Sequence, residues 1–177
     1  MRSFVLALAL TAACASPPRE HFFTLSAPEA PAAAEGAPSI AVGPVSIPDI
    51  VDRPQFVVRR NPNEVSIVEQ ARWAEPLKGA IARVVAANLA ATLGARAVPQ
   101  RDGAADYRVV LDVQRFESPA DAVLIEALWT VVDKRGRKSG RSVVRERIAG
   151  KDYTALAAAH SAALASLSRE IAAAIRP

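Results

Sequence analysis

The chain has 177 residues, 51% hydrophobic and 23% charged, a globular balance that excludes a fibrous or wholly disordered protein and allows one domain or two small ones. A single cysteine, Cys14, and two histidines, His21 and His160, exclude an internal disulfide and a Cys/His-rich metal centre, and no residue pattern calls for a metal or cofactor. The formal net charge of +4 suits an anionic partner surface but falls short of a nucleic-acid footprint unless the cations cluster.

The N-terminus opens with Arg2, an apolar run from Phe4 to Leu10 and the small residues Thr11, Ala12 and Ala13. That order is a secretion signal, and the run is too short to cross a bilayer, which takes roughly 20 apolar residues. Cys14 follows the small residues directly, so the segment resembles the lipobox of bacterial lipoproteins, although Thr11 stands where Leu is the commoner choice. The resemblance implies a diacylglyceryl group on the Cys14 thiol, cleavage before Cys14 and acylation of the new amino group. Several acyl chains, at about 0.8 kcal/mol per buried CH₂, make a stable anchor. Cleavage also removes Arg2 and lowers the formal charge by one. Ala15 rather than Asp after the cysteine points to sorting to the outer membrane.

Residues 1–13 are thus a signal peptide, and residues 14–38 form a lipidated N-terminus and flexible linker, rich in Pro, Ala, Ser and Glu. Within it, residues 21–25 (HFFTL) read as a short strand added to the main sheet. The domain proper occupies residues 39–177.

Ile40, Val42, Val45 and Ile47 mark a strand interrupted by Gly43-Pro44, which implies an edge position or a bulge. Residues 47–55 break regular pairing, and residues 56–59 and 65–68 then read as a hairpin around Asn61-Pro62-Asn63. Glu75-Pro76 opens a helix whose apolar face is Leu77, Ile81, Val84, Val85, Leu89 and Leu93 before Gly94 ends it. Tyr107, Val109, Leu111 and Val113 alternate with polar residues in the period of a half-buried strand. Residues 122–132, apolar on both faces apart from Glu126, read as a central strand. A turn over residues 133–140 leads to a strand at 142–148, completing an antiparallel meander. Asp152 caps a last helix with the apolar line Leu156, His160, Leu164, Leu167, Ile171 and Ile175. The fold class is therefore α/β: a single domain with a mixed β-sheet and two long amphipathic helices packed on it.

Candidate chemistry is sparse. His160 and Ser161 are the one adjacent base and nucleophile, but neighbouring helical residues point about 100° apart, and His160 lies on the apolar stripe. A buried core histidine fits better than a hydrolase, and no G-x-S-x-G element supplies a nucleophile elbow. Asp49 and Asp52 with Arg53 form either an acid/base carboxylate pair or, between Pro48 and Pro54, a rigid loop in which Arg53 pairs with one aspartate; the loop is favoured. Lys134, Arg135, Arg137, Lys138 and Arg141 concentrate positive charge at the hairpin tip. They are either a solvated turn or a contact for anionic headgroups or an acidic partner. With no interleaved aromatic, nucleic acid is not the partner. Trp129 reads as core, while Trp73 either covers the first helix or anchors an interface.

Four pieces recur together in one family: the lipobox ending at Cys14, Phe23-Thr24-Leu25, Val42-Gly43-Pro44-Val45 running on to Asp52-Arg53-Pro54-Gln55, and Arg72-Trp73-Ala74-Glu75-Pro76-Leu77. In them the chain resembles the ABC-type transport auxiliary lipoproteins, the PqiC-like family of paraquat-inducible and related MCE systems. The resemblance implies a non-enzymatic outer-membrane lipoprotein facing the periplasm, important for membrane integrity. Its partners would be an MCE-domain protein, a membrane permease and an ATPase, in the movement of lipids between the two membranes. Cys14 would be the anchor. Asp49, Asp52, Arg53, Gln55, Arg72, Trp73 and Glu75 would define the fold or contact the partner, and self-association into a homo-oligomer stays open. A structural envelope lipoprotein without a transport role and a periplasmic hydrolase are the competing readings.

Overall fold

The computed structural model describes residues 19–29, 32–101 and 105–176, so the signal segment and Cys14 lie outside the described residues. Eight strands and two α-helices follow in the order β1 (His21–Phe23), β2 (Ser39–Ser46), a 3₁₀ turn (Asp49–Val51), β3 (Gln55–Asn61), β4 (Glu64–Trp73), α1 (Leu77–Leu93), β5 (Arg96–Ala97), β6 (Tyr107–Glu117), β7 (Ala122–Asp133), β8 (Gly136–Arg147) and α2 (Tyr153–Ile175).

The fold is α/β as expected, but the strands divide into two mixed sheets: β5-β2-β6-β7-β8 and β1-β4-β3. The division falls at residues 47–55, where prolines flank a single 3₁₀ turn and the chain leaves the large sheet. The β3–β4 hairpin then pairs on its far side with β1, which runs parallel to β4 with Phe22 opposite Arg72. The HFFTL island thus joins this small sheet and not the main one, and its paired part ends at Phe23.

In the large sheet, β6, β7 and β8 form the expected meander and β2 adds parallel to β6. The register shift between Val42 and Val45 is the bulge that Gly43-Pro44 foretold. The β7–β8 connection is shorter than expected. Asp133 pairs directly with Gly136, whose φ of 133° suits a tight turn, and the Asp133 carboxylate accepts from the Arg135 backbone N–H at 2.7 Å. Only Lys134 and Arg135 occupy the tip, while Arg137, Lys138 and Arg141 sit on rungs of β8.

Both helices cover one face of the large sheet, α1 over β2 and α2 over β7 and β8. Val109, Leu111, Val113, Ile125, Ala127, Trp129 and Val131 are buried beneath Ile81, Val84, Leu89, Leu164, Leu167 and Ile171. Buried alanines, among them Ala80, Ala90, Ala159 and Ala163, let helices and sheet approach closely. Gly94 ends α1 in the left-handed conformation, and Asp152 caps α2 by accepting from the Ala155 N–H at 2.7 Å.

The two helices run in the same direction. Tyr153, opening α2, packs on Phe23 and Phe56 of the small sheet, and α1 leaves that sheet just after Trp73. At the other end, α1 runs into β5 beside the start of β2, and α2 ends at the β7–β8 turn. The molecule therefore has a small-sheet end and a helix C-terminal end.

Candidate functional site

The motif segments meet at one joint between the two sheets. The Trp73 backbone N–H donates to the Pro54 carbonyl at 2.7 Å, the Ala74 N–H donates to the Phe23 carbonyl at 2.8 Å, and Gln55 lies opposite Arg72. Trp73 is buried with its ring centroid 4.2 Å from Phe56 and 6.2 Å from Phe116, so its indole is a wedge in the joint. Arg72 pairs with Glu20 at 2.9 Å, just ahead of β1. Glu75 pairs with Arg83 and accepts from Thr24. The hydrogen bond from Arg83 holds the Glu75 carboxyl below the usual carboxylate range, against the opposing pull of burial.

The loop differs in one respect from expectation. Asp52 pairs with Lys78 of α1 at 2.6 Å, and Arg53 forms no ion pair among the described residues, its buried Nε lacking a partner. Asp49 is exposed and forms no ion pair among the described residues. A second clasp, Glu117 between Arg59 at 2.9 Å and Arg115 at 2.8 Å, ties the hairpin to the end of β6. Burial alone would raise the Glu117 pKa, but hydrogen bonds from the two guanidiniums outweigh it and lower it.

His160 lies behind this joint. Its ring is 3% exposed and stacks on Phe116 with centroids 4.1 Å apart and planes 9° apart. Nε2 shares a 3.0 Å hydrogen bond with the Ser118 hydroxyl, and Nδ1 has no partner. Burial lowers its pKa from 6.5 to about 3, so the ring is neutral at physiological pH. The Ser161 hydroxyl donates to the Ala157 carbonyl at 2.9 Å and accepts from the Ser26 N–H at 3.1 Å. His160 and Ser161 are therefore not bonded to each other: the hydroxyl that meets the ring is that of Ser118, and ring and hydroxyl are both buried, 3% and 2% exposed.

The cations at the opposite end have assignments that sequence reasoning missed. Arg135 donates to the Ile175 carbonyl at 3.0 Å and Lys138 to the Ala174 carbonyl at 2.7 Å, the last turn of α2, while Arg176 donates to the Thr92 carbonyl of α1. They satisfy carbonyls that each helix leaves unpaired and neutralise the negative ends of two dipoles pointing the same way. The clue in sequence was the absence of any basic residue in the last turn of either helix. Arg141 pairs with Glu126 at 2.7 Å, leaving Lys134 and Arg137 as the cations of this group that donate no hydrogen bond among the described residues.

No helix among the described residues is long and apolar enough to cross a membrane. A crystal structure of an uncharacterised protein superimposes with a TM-score of 0.77 at 18% identity, covering 90% of this chain and 100% of that one. Protein XCC0632 from Xanthomonas campestris gives a TM-score of 0.66 at 24% identity, covering 86% of this chain and 92% of its own. Both share the fold. No curated protein sequence matches. The two motif segments that form the joint, helix α1 and all but the last three residues of α2 lie within residues 23–172, the stretch over which the chain matches, and by which it belongs to, the ABC-type transport auxiliary lipoprotein component family.

Proposed function

We propose that the protein is a non-catalytic auxiliary component of an MCE/ABC-type lipid transport system, fixed by acylated Cys14 to the periplasmic face of the outer membrane. There it docks the end of a periplasmic MCE-domain assembly whose inner-membrane permease and ATPase supply the energy. The observation that carries this reading is the family match over residues 23–172, preceded by a lone cysteine at the end of a secretion signal. The burial of His160 together with its hydroxyl partner Ser118, and the absence of a bond between His160 and Ser161, support the non-catalytic part.

The joint residues Asp52, Gln55, Arg72, Trp73 and Glu75 serve mainly to hold the small sheet on the large one, since each is bonded or buried within the domain. Asp49 and Arg53 keep groups available for a partner. Lys134 and Arg137, at the far end, offer charge to an acidic surface on the MCE assembly.

Affinity capture of the tagged chain from detergent-solubilised envelopes is expected to recover an MCE-domain protein; capture of none would defeat the docking role. Cys14→Ala is expected to move the chain from the outer-membrane fraction to the soluble periplasm. Deletion is expected to change lipid exchange between the membranes, whereas a purely structural lipoprotein would alter envelope integrity alone.

A further inference from the structure

The small-sheet end carries most of the exposed apolar bulk. Phe22 (62% exposed), Ile67 (43%), Ile50 (42%) and Tyr153 (37%) are four of the six large apolar side chains left exposed among the described residues. Ile67 lies opposite Val57 in the hairpin register, and Val57, Val65 and Ile50 line a notch of about 60 Å³, so β3, β4 and the 3₁₀ turn contribute to one apolar relief, with Phe22 exposed farther along the small sheet opposite Arg72. Some charges at this end are paired, Arg72 with Glu20, Lys78 with Asp52 and Arg59 with Glu117, and the rest, among them Asp49, Arg53, Arg60 and Glu64, are of both signs. Apolar side chains exposed among charges of balanced sign suit a phospholipid interface better than an acidic protein, which would select for surplus cations.

Chain length fixes where that interface lies. His21 follows Cys14 by seven residues, so β1 stays within about 25 Å of the acylated residue even if the chain between is fully extended. Helix α2 starts against Phe23, and its 23 residues rise about 34 Å to the end where Arg135 and Lys138 bind. The tether is shorter than the domain. An inverted attitude, with the basic end on the membrane and β1 uppermost, is out of reach, and of the remaining attitudes the upright one buries the exposed apolar set.

We propose that the small-sheet end of the domain rests on the phospholipid surface, with Phe22, Ile50 and Ile67 entering the headgroup region and the basic end directed away from the membrane. The proposal rests on the reading of Cys14 as the lipid anchor. It also settles the alternative left by the cationic turn: Lys134 and Arg137 meet a protein and not the headgroups of the anchoring leaflet.

Because Cys14 is the sole cysteine, a thiol introduced elsewhere is a unique label once Cys14 is acylated. The lipidated chain, carrying an environment-sensitive fluorophore on Phe22→Cys, Ile67→Cys or Arg137→Cys, is reconstituted in phosphatidylcholine vesicles containing a nitroxide-labelled lipid. Circular dichroism checks the fold of each variant, and mass spectrometry reads the acylation of Cys14. Quenching at positions 22 and 67 is expected to exceed that at 137 at least threefold. Equal quenching at the two ends, or greater quenching at 137, on a chain whose Cys14 is acylated overturns the membrane-facing assignment and leaves the anchor reading standing. An unmodified Cys14 removes the anchor reading and this proposal with it.

Discussion

The imidazole of His160 is enclosed by Phe116, Trp73 and Ser118, and no carboxylate contacts it. In the unfolded chain the same ring has an ordinary affinity for protons, so below pH 6.5 the unfolded state binds a proton that the folded state refuses until about pH 3. The contribution of His160 to stability is therefore complete above pH 6.5 and is lost as the pH falls through the window down to about 3. The slope is about 1.4 kcal/mol per pH unit well inside that window. In urea unfolding between pH 6.5 and 5, the wild type is expected to lose about 2 kcal/mol more than His160→Gln, and equal losses would show that the ring accepts a proton in the native state. The position of His160 on an apolar helical stripe made its burial legible in sequence. Its contact with Ser118 was not, because nothing local to either residue announces a partner 42 positions away. The same holds for Asp52, whose adjacent Arg53 looked like its natural counterion while the fold brought Lys78 closer.

At the scale of elements, β7 and β8 show how tightly the large sheet is fitted under α2. Trp129 lies opposite Gly140, and its indole N–H donates to the Ser142 hydroxyl at 3.1 Å. A Cβ placed on Gly140 would stand 2.2 Å from the indole ring. Gly140→Ala is expected to destabilise the domain by about 1–3 kcal/mol in thermal unfolding, because the ring cannot yield without leaving its hydrogen bond. Asp152→Ala, removing the N-cap of α2, is expected to cost about 1 kcal/mol in the same assay. The helices and the meander were readable because their apolar residues recur at 3.6 and 2.0 positions, and these periods are local. Sheet membership was not readable for HFFTL: alternation marks a segment as a strand without naming its partner, and the pairing of Phe22 with Arg72 is a contact across 50 positions. The basic run illustrates a third case. Its charge was plain in sequence, but its use on α2 carbonyls depends on where a distant helix ends.

For the whole molecule, the common direction of α1 and α2 gives the domain an electrical axis, with both carbonyl ends at the basic pole. Arg135, Lys138 and Arg176 are consumed in offsetting it, while Lys134, whose charge also acts on Asp106, and Arg137 donate no hydrogen bond among the described residues. Lys134→Glu with Arg137→Glu is expected to weaken recovery of the proposed MCE-domain partner by at least tenfold at low salt and to flatten its salt dependence, since exposed charges act within a Debye length of about 8 Å at physiological ionic strength. Unaltered recovery at every salt concentration would place the contact elsewhere on the surface. The motif segments, by contrast, were found in sequence by their spacing, and the joint they build explains why those residue types recur together: rungs and the Arg72–Glu20 pair knit the small sheet, Asp52 and Glu75 bind α1, and the Trp73 indole packs on Phe116 of β6.

The placement of β1 has a mechanical consequence. It is the first described strand after Cys14, so, with Cys14 as the proposed anchor, tension on the N-terminal segment would enter the domain through three rungs on β4. Leu25, buried immediately behind β1, and the Ser26 N–H bond to Ser161 of α2 form a second stop that a peeled β1 would still have to break. Force on the proposed Cys14 anchor would thereby be delivered to α2, the longer helix, and spread along the core it covers.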